Sequence, residues 1–328
     1  MTAPGYELAG SDVTVSRLGV GTWAWGDRST WGMGGYDSAL TEGSIREAFE
    51  ASVDAGVTLF DTAEVYGGGE SERIIGRLLA DDPDRAGSVV LATKFMPSPW
   101  KVQVGKALMD ALRASLDRLG VPAVGLYQLH GPVSLRSHAA LAEALAAAHQ
   151  GGLVHTVGVS NYSVTETRAI DGELRKRGLR LASNQIEFSL LRRAPETSGL
   201  LAACAELGVR PLAYSPIGQG RLTGKYSAGH PPPGRRGFSN HPMEVVDRVV
   251  AELRRIGEKH GGKACSQVAL NWVMAKGAVP IPGAKNRAQA EENAGALGWE
   301  LDGDDLEALD RAALPGIRSL QNRFWQHG

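Results

Sequence analysis

The stretch Gly56-Val-Thr-Leu-Phe-Asp61-Thr-Ala-Glu-Val-Tyr66-Gly67 decides how this chain reads. Its apolar run, Val57–Phe60, follows a glycine, is too short for a helix, and ends on a carboxylate. Such runs read as strands of a parallel sheet buried on both faces. Two later runs repeat the design: Val89–Thr93 ends on Lys94, and Val124–Leu129 ends on His130. Polar groups at the exit ends of successive parallel strands converge on one face of a barrel, the face where such barrels carry chemistry. Tyr66 lies five residues beyond Asp61, in the loop that follows. A carboxylate, a phenol, an ammonium and an imidazole gathered there make a proton-donating site.

Working outward, strand-like and helix-like segments alternate along the whole chain. A short hairpin (Tyr6–Leu8 with Val13–Val15) precedes a first strand at Leu18–Thr22. Ile45, Ala48, Phe49, Ser52 and Val53 then recur at helical spacing, with Gly56 as the stop. The second strand is Thr58–Asp61, with its helix from about Ser71 to Leu79. The third is Val89–Lys94, followed by a helix with Val104, Leu108, Leu112, Leu116 and Leu119 on one face. Strands at Val124–His130, His155–Ser160, Leu181–Glu187, Arg210–Ser215 and Ala278–Ile281 complete the set. Their helices run over Leu141–Gln150, about Val164–Arg177, Leu200–Leu207 and about Arg287–Gly295. Two more helices, near Val245–Lys259 and Ser266–Lys276, follow the seventh strand. The pattern predicts one domain over residues 1–328: a (β/α)8 TIM barrel with an N-terminal β-hairpin and extra helices after strand seven and at the C-terminus. An open dinucleotide-binding sheet is the alternative, but it needs GxGxxG after its first strand. Here Gly19-Val-Gly21-Thr-Trp-Ala-Trp-Gly26 has the wrong spacing and two tryptophans where a helix should open. The Gly- and Pro-rich segment Ile217–Pro242 is too long for an idle connection and reads as a lid or ligand clamp.

Bulk properties agree with an enzyme and exclude much else. The chain has 328 residues, a formal net charge of −1 and a sequence pI near 6.7. That balance gives no argument for nucleic acid or a membrane surface as partner. The basic groups Arg175–Arg177 and Arg235–Arg236 are too short for a polyanion groove. Cys204 and Cys265 have no motif spacing and suggest a reducing compartment. The opening residues lack the basic and apolar regions of a secretory signal, and no apolar run approaches the ~20 residues of a membrane helix. A cytoplasmic protein is expected, its oligomeric state open. No metal cluster of the HExxH or paired CxxC kind is present, so no metal is expected.

Gly56–Gly67 with Glu70, Glu72 and Gly76 resembles the signature of the aldo-keto reductase family. The likeness continues through Lys94 in Leu-Ala-Thr-Lys-Phe, His130 in Leu-Tyr-Gln-Leu-His, and Gly158-Val-Ser-Asn161. It extends through Tyr214-Ser-Pro-Ile-Gly-Gln-Gly-Arg-Leu-Thr-Gly-Lys225 and Ile281-Pro-Gly-Ala-Lys-Asn286, running in order from about Arg17 to Trp299. The resemblance implies a barrel that binds a nicotinamide dinucleotide and reduces aldehydes or ketones. In that reading Tyr66 is the proton donor, Lys94 and Asp61 tune it, and His130 orients the carbonyl oxygen. The chemistry agrees. Hydride addition generates an alkoxide, which must be protonated or held by donors. A free phenol, with a pKa of ~10, is a weak acid near neutrality. A neighbouring ammonium stabilises phenolate, and a downward shift of two or three units corresponds to roughly 3–4 kcal/mol.

The resemblance also implies a cofactor site. Ser160, Asn161 and Gln185 would bond the nicotinamide carboxamide, offering the donors and acceptors an amide requires. Tyr214 would stack on the ring. Gly218, Gly220 and Gly224 with Lys225 look like a pyrophosphate clamp, where backbone amides approach anionic oxygens. Gly21, Thr22, Asp61, Ser215, Pro216 and Leu222 are grouped with them. The Lys and Arg with which many family members hold a 2′-phosphate align with Gly283 and Gln289 here. Lys285 and Arg287 are neighbouring replacements, and Glu292 and Asn293 match residues that meet the adenine, so NADPH is favoured over NADH. Trp23, Trp25, Trp31 and Trp100 are expected to give the substrate mouth, with Tyr66 and His130, an aromatic lining suited to apolar or flat aldehydes. Relatives with a similar Ile-Pro-Gly-Ala-Lys stretch include pyridoxal reductases. The run Gln321–His327 either covers the pocket or frays. Two other readings remain: a nicotinamide-binding regulatory subunit with slow turnover, and an aldolase using Lys94 as a Schiff base.

Overall fold

Eight strands, each paired in parallel with its neighbour in chain order, wind around a central core. In this computed structural model, residues 5–26, 40–233, 238, 241–316 and 324–328 are described. Trp31, Arg235, Arg236 and positions 321–323 lie outside the described residues. The hairpin β1 (Tyr6–Glu7) and β2 (Thr14–Val15) comes first. The barrel strands are β3 (Gly19–Gly21), β4 (Leu59–Asp61), β5 (Val90–Phe95), β6 (Val124–Leu129), β7 (Val154–Ser160), β8 (Leu181–Glu187), β9 (Arg210–Tyr214) and β10 (Val279–Pro280). The barrel closes where the Gly21 N–H donates to the Pro282 carbonyl at 3.0 Å, joining the first wall to the last. The seam is tight, since a Cβ at Gly19 would stand 2.9 Å from Ile281 Cγ2.

Two layers of apolar packing hold this wall. Leu59, Ala92, Leu126, Ala182, Leu212, Val279 and Ile281 fill the barrel, stoppered by Leu8 and Val15 of the hairpin. Outside it, the apolar faces of the surrounding helices bury against the other sides of the strands. Leu108, Leu112, Leu116 and Leu119 of the helix Val104–Leu119 show the predicted i, i+4 stripe. Strands buried on both faces explain why the runs read as continuously apolar. The extra helices fall at Met243–Lys259, Cys265–Ala275 and, near the C-terminus, Gly303–Ala312. The connection after β9 opens with a tight turn, Gly218–Thr223, and its described part runs through position 233 with Phe238. Among the described residues, no helix is long and apolar enough to cross a membrane.

Candidate active site

The three strand-end groups stand at the exit ends of adjacent strands. Asp61 is the last residue of β4, Lys94 pairs with Gln128 across β5–β6, and the His130 N–H donates to the Phe95 carbonyl at 2.8 Å. Tyr66 opens the turn Tyr66–Gly69 that leads into the helix Glu70–Asp81. Lys94 is the hub. Its fully buried Nζ donates to Asp61 Oδ2 at 2.6 Å, to the Thr62 carbonyl at 2.7 Å and to the Tyr66 hydroxyl at 3.2 Å. Asp61 Oδ1 accepts from Gln185 Nε2 at 2.7 Å and Gln128 Nε2 at 3.2 Å. A buried carboxylate is tolerated only when paired and hydrogen-bonded, and here both oxygens are engaged. His130 meets the Tyr66 ring edge-on, 5.6 Å between centroids, and its Nδ1 is buried without a partner among the described residues.

These surroundings fix the protonation states. Burial pulls the Lys94 ammonium down, but the Asp61 carboxylate and Tyr66 more than restore it, so Lys94 stays charged. Burial, assisted by the Lys94 charge, holds His130 well below the ordinary imidazole value and therefore neutral. For Tyr66 the expected net downward shift needs correction. Burial raises the phenol, Lys94 lowers it and Asp61 raises it again, so it ends above its ordinary value. Tyr66 is thus a protonated phenol across neutral pH, beside a fixed positive charge. The same facts count against the aldolase, because a Schiff-base lysine must be a neutral, accessible amine.

Cofactor candidates gather at the exits of β7 to β9. Ser160 pairs with Gln185, and its hydroxyl donates to the Gln185 carbonyl. Asn161 Nδ2 donates to Ser160 Oγ at 3.1 Å, and the Tyr214 hydroxyl donates to Asn161 Oδ1 at 2.9 Å. Among the described residues, the non-glycine positions with left-handed backbone are Asn161, Ser215 and Gln219, all in these loops. Strained backbone of this kind is a common feature of ligand clamps. Gly218, Gly220 and Gly224 share that conformation, Pro216 is buried, and Lys225 is exposed. Leu222 is wholly buried in the core, so it has only backbone to offer. Gly21 and Thr22 lie at the seam, the Thr22 hydroxyl donating to the Asp61 carbonyl. A Cβ at Gly283 would sit 3.6 Å from the Gly21 carbonyl.

At the adenine end, several candidates already have structural work. Gln289 Oε1 accepts from the Lys285 N–H, Glu292 accepts from the Ser266 hydroxyl, and Asn293 Nδ2 donates to the Gly283 carbonyl. The half-exposed Arg287 lies 3.4 Å from Glu50 and 3.7 Å from Glu291. Both Lys285 and Arg287 flank the start of the helix Arg287–Ala294, which Asn286 caps. Elsewhere His260, Asp302 and Asp305 lie close enough to share a cation, but the Lys259 ammonium already bridges the two carboxylates.

The substrate wall differs from expectation. Trp25 is 3% exposed, packs on Phe60, and donates its indole N–H to the Ala284 carbonyl, so it belongs to the core. Trp100 is 78% exposed and lines nothing. Trp23 meets Phe238 edge-on, and Phe238 in turn meets Tyr214. The described C-terminal residues, 324–328, pack against residues of this face. Trp325 lies edge-on to His130 with centroids 5.5 Å apart, and Gln326 Nε2 donates to Glu187 Oε2 at 2.5 Å and to the Tyr214 hydroxyl at 2.9 Å. His327 pairs with Glu166, and Arg192 donates to the Gly328 carbonyl. Gln128, Thr62, Glu187 and Phe238 are site residues that sequence reasoning missed; only Gln128, a polar residue inside an apolar run, carried a signal.

Comparison with known proteins agrees with this geometry. The model of the aldo/keto reductase family matches residues 17–313. The chain is 38% identical over 336 residues to a chloroplastic pyridoxal reductase of Arabidopsis thaliana, covering 98% of this chain and 90% of that one. It is 31% identical to a 6-dehydroglucose reductase of Novosphingobium aromaticivorans, over 94% of each. Among solved structures, a glycerol dehydrogenase from Gluconobacter oxydans superposes with a TM-score of 0.80 at 28% identity, covering 98% of this chain and 99% of that one. An aldo-keto reductase from Klebsiella pneumoniae in complex with NADPH gives 0.74 at 26%, over 97% and 98%. A charged lysine between a buried carboxylate and a phenol, in a closed parallel barrel of this sequence, places the chain in the aldo/keto reductase family, and it is an oxidoreductase acting on carbonyl groups.

Proposed function

We propose that this protein reduces a flat aromatic aldehyde to the alcohol with NADPH, and that Tyr66 donates the proton. The observation that carries the reading is the buried Lys94 ammonium held between Asp61 Oδ2 and the Tyr66 hydroxyl. When bound, the reduced nicotinamide supplies the hydride that attacks the carbonyl carbon. Ser160, Asn161 and Gln185 would hold its carboxamide, Tyr214 its ring, and the Gly218–Lys225 loop its pyrophosphate. Asp61 keeps Lys94 protonated and pointed at the phenol. Neutral His130 presents a ring N–H to the carbonyl oxygen, polarising it without competing for the proton. As the oxygen becomes an alkoxide, it is a stronger base than phenolate, so the phenol's proton moves downhill to it. Lys94 then stabilises the phenolate left behind.

The substrate class follows from the aromatic groups around the mouth, Trp23, Phe238, Tyr214 and Trp325, and from the similarity to a pyridoxal reductase. Cofactor preference follows from Lys285 and Arg287 at a helix start, where cations and backbone amides favour a phosphate. A cytoplasmic setting suits the buried free thiols of Cys204 and Cys265. The test is NADPH consumption with pyridoxal, benzaldehyde and glyceraldehyde as alternative substrates, beside fluorescence titrations with NADPH and NADH. A kcat/KM highest for the two aromatic aldehydes supports the reading. Tight NADPH binding without turnover of any carbonyl would favour the regulatory subunit instead.

A further inference from the structure

Behind the site lies a charged pair that the chemistry above does not use. Glu72, in the first turn of the helix Glu70–Asp81, is fully buried. Its Oε1 accepts from Thr93 Oγ1 at 2.6 Å and its Oε2 from Arg118 Nε at 2.7 Å. Thr93 immediately precedes Lys94 on β5. Arg118, from the last turn of the helix Val104–Leu119, runs beneath the turn that carries Tyr66. A Cβ at Gly69 would stand 2.7 Å from both Cδ and Nε of Arg118. On the turn's other side, a Cβ at Gly67 would meet the Gly26 carbonyl oxygen at 2.0 Å. At Gly67 and Gly69 the turn is therefore held between the Gly26 backbone and the Arg118 side chain, while Gly68 between them faces open space. Only the Glu72 side of the pair is fully buried, Arg118 being partly exposed, and burying a charge is a poor way to gain stability, since apolar residues of like volume usually serve as well or better. Its value is geometric: the planar guanidinium fixes direction as well as distance.

We propose that Glu72 is a positioning residue for the proton donor. Through Arg118 it sets the height of the Tyr66 turn, through Thr93 it sets the end of β5, and the two together hold the Tyr66 hydroxyl within reach of Lys94 Nζ. The inference rests on Tyr66 being the donor. Glu72 bonds to Thr93 and Arg118, and Arg118 to Glu72 and Ser115, so among the described residues the pair acts on Tyr66 and Lys94 indirectly.

The test uses the full chain carrying Glu72→Gln, Arg118→Lys, and the double replacement Glu72→Gln/Arg118→Met, which removes the pair without leaving a buried charge. Each is assayed for kcat, KM, NADPH affinity, melting temperature and the pH dependence of kcat. A displacement of the donor on the order of 1 Å costs up to about 100-fold. Falls in kcat of about 10- to 100-fold are therefore expected, with NADPH affinity within about two-fold. The alkaline limb of the reductive profile should move to higher pH as the phenol leaves Lys94. A merely structural role would lower the melting temperature and leave kcat and the pH limb of the folded enzyme in place; that result overturns the proposal. Combining Glu72→Gln with Tyr66→Phe separates the two ideas. If the Glu72 effect vanishes in the Phe background, positioning of the donor is supported. If the two effects multiply, positioning fails while Tyr66 remains the donor. If Tyr66→Phe alone keeps wild-type turnover, the donor reading fails, and this inference with it.

Discussion

Replacing Tyr66 by Phe removes one oxygen atom, and the structure says what should follow. That oxygen's contact with Lys94 is the longest of three, at 3.2 Å, while the 2.6 Å and 2.7 Å bonds to Asp61 and the Thr62 carbonyl remain. Lys94 therefore keeps its charge and place, and the loss of stability should stay near ~1 kcal/mol, the scale of one hydrogen bond. NADPH affinity should be nearly unchanged, since the ring still fills its place. The chemical step is another matter. General acid catalysis contributes about 10²- to 10⁴-fold, or roughly 2.7–5.4 kcal/mol at about 1.36 kcal/mol per decade. Because Tyr66 sits above the ordinary phenol value, wild-type reductive kcat should be flat across neutral pH and fall only in strong alkali, as the donor ionises. The variant should lose that alkaline limb together with its rate. Single-turnover mixing of the enzyme–NADPH complex with benzaldehyde, followed by nicotinamide absorbance between pH 6 and 11, reads both quantities. A turnover within about three-fold of wild type, with the alkaline limb intact, would refute Tyr66 as the donor.

Three further outcomes are expected. The double replacement Lys285→Ala/Arg287→Ala should weaken NADPH about 10-fold or more and leave NADH nearly unchanged, because a charge-assisted contact is worth about 1.5–3 kcal/mol; equal losses for both cofactors in titration would remove these side chains from 2′-phosphate recognition. Gln326→Ala strips a donor from Glu187 and from the Tyr214 hydroxyl, so affinity for the nicotinamide and KM for the aldehyde should each worsen by about five-fold, ~1 kcal/mol, while a change in neither would mean the tail only rests on the mouth. His130 stays neutral when folded but accepts a proton near its ordinary value when unfolded, so the unfolded state binds more protons as pH falls below about 6.5 and stability drops there. Denaturant titrations from pH 7 to 5 should show a wild-type slope steeper than that of His130→Gln by up to about 1.4 kcal/mol per pH unit; parallel slopes would contradict it.

Much of this site was legible because it sits where apolar strands stop. Asp61, Lys94 and His130 each end a buried run, so their convergence followed from strand polarity alone. What the sequence hides falls into three physical kinds. Trp25 and Trp23 share a one-turn helix, Trp23–Gly26, where residues two apart point to opposed sides, so one indole meets Phe238 and the other packs in the core. The net shift of Tyr66 depends on weighing burial against a neighbouring charge, and burial is unknown until the chain is folded. Glu72 and Arg118 are 46 positions apart on two helices, where single charges ordinarily face solvent; only the crossing of those helices brings them together. The C-terminal run carries no periodicity, so its place over His130 and Tyr214 has no local cause to read.

The seam between β3 and β10 bears on the order in which the molecule is built. Every other neighbouring pair joins strands consecutive in the chain, and each can form as soon as its second member is available. The Gly21–Pro282 bond instead spans 261 positions and joins two short walls of the barrel, of three and two residues. Loop-closure entropy must be met before so distant a contact returns anything, so closure comes late. A nascent chain still lacking its last hundred residues would carry Asp61, Tyr66, Lys94 and His130 on an open, curved sheet with an unpaired edge at β3. In the finished protein the same seam should be the first part of the wall to exchange its amide protons, and Gly21 the residue that reports it.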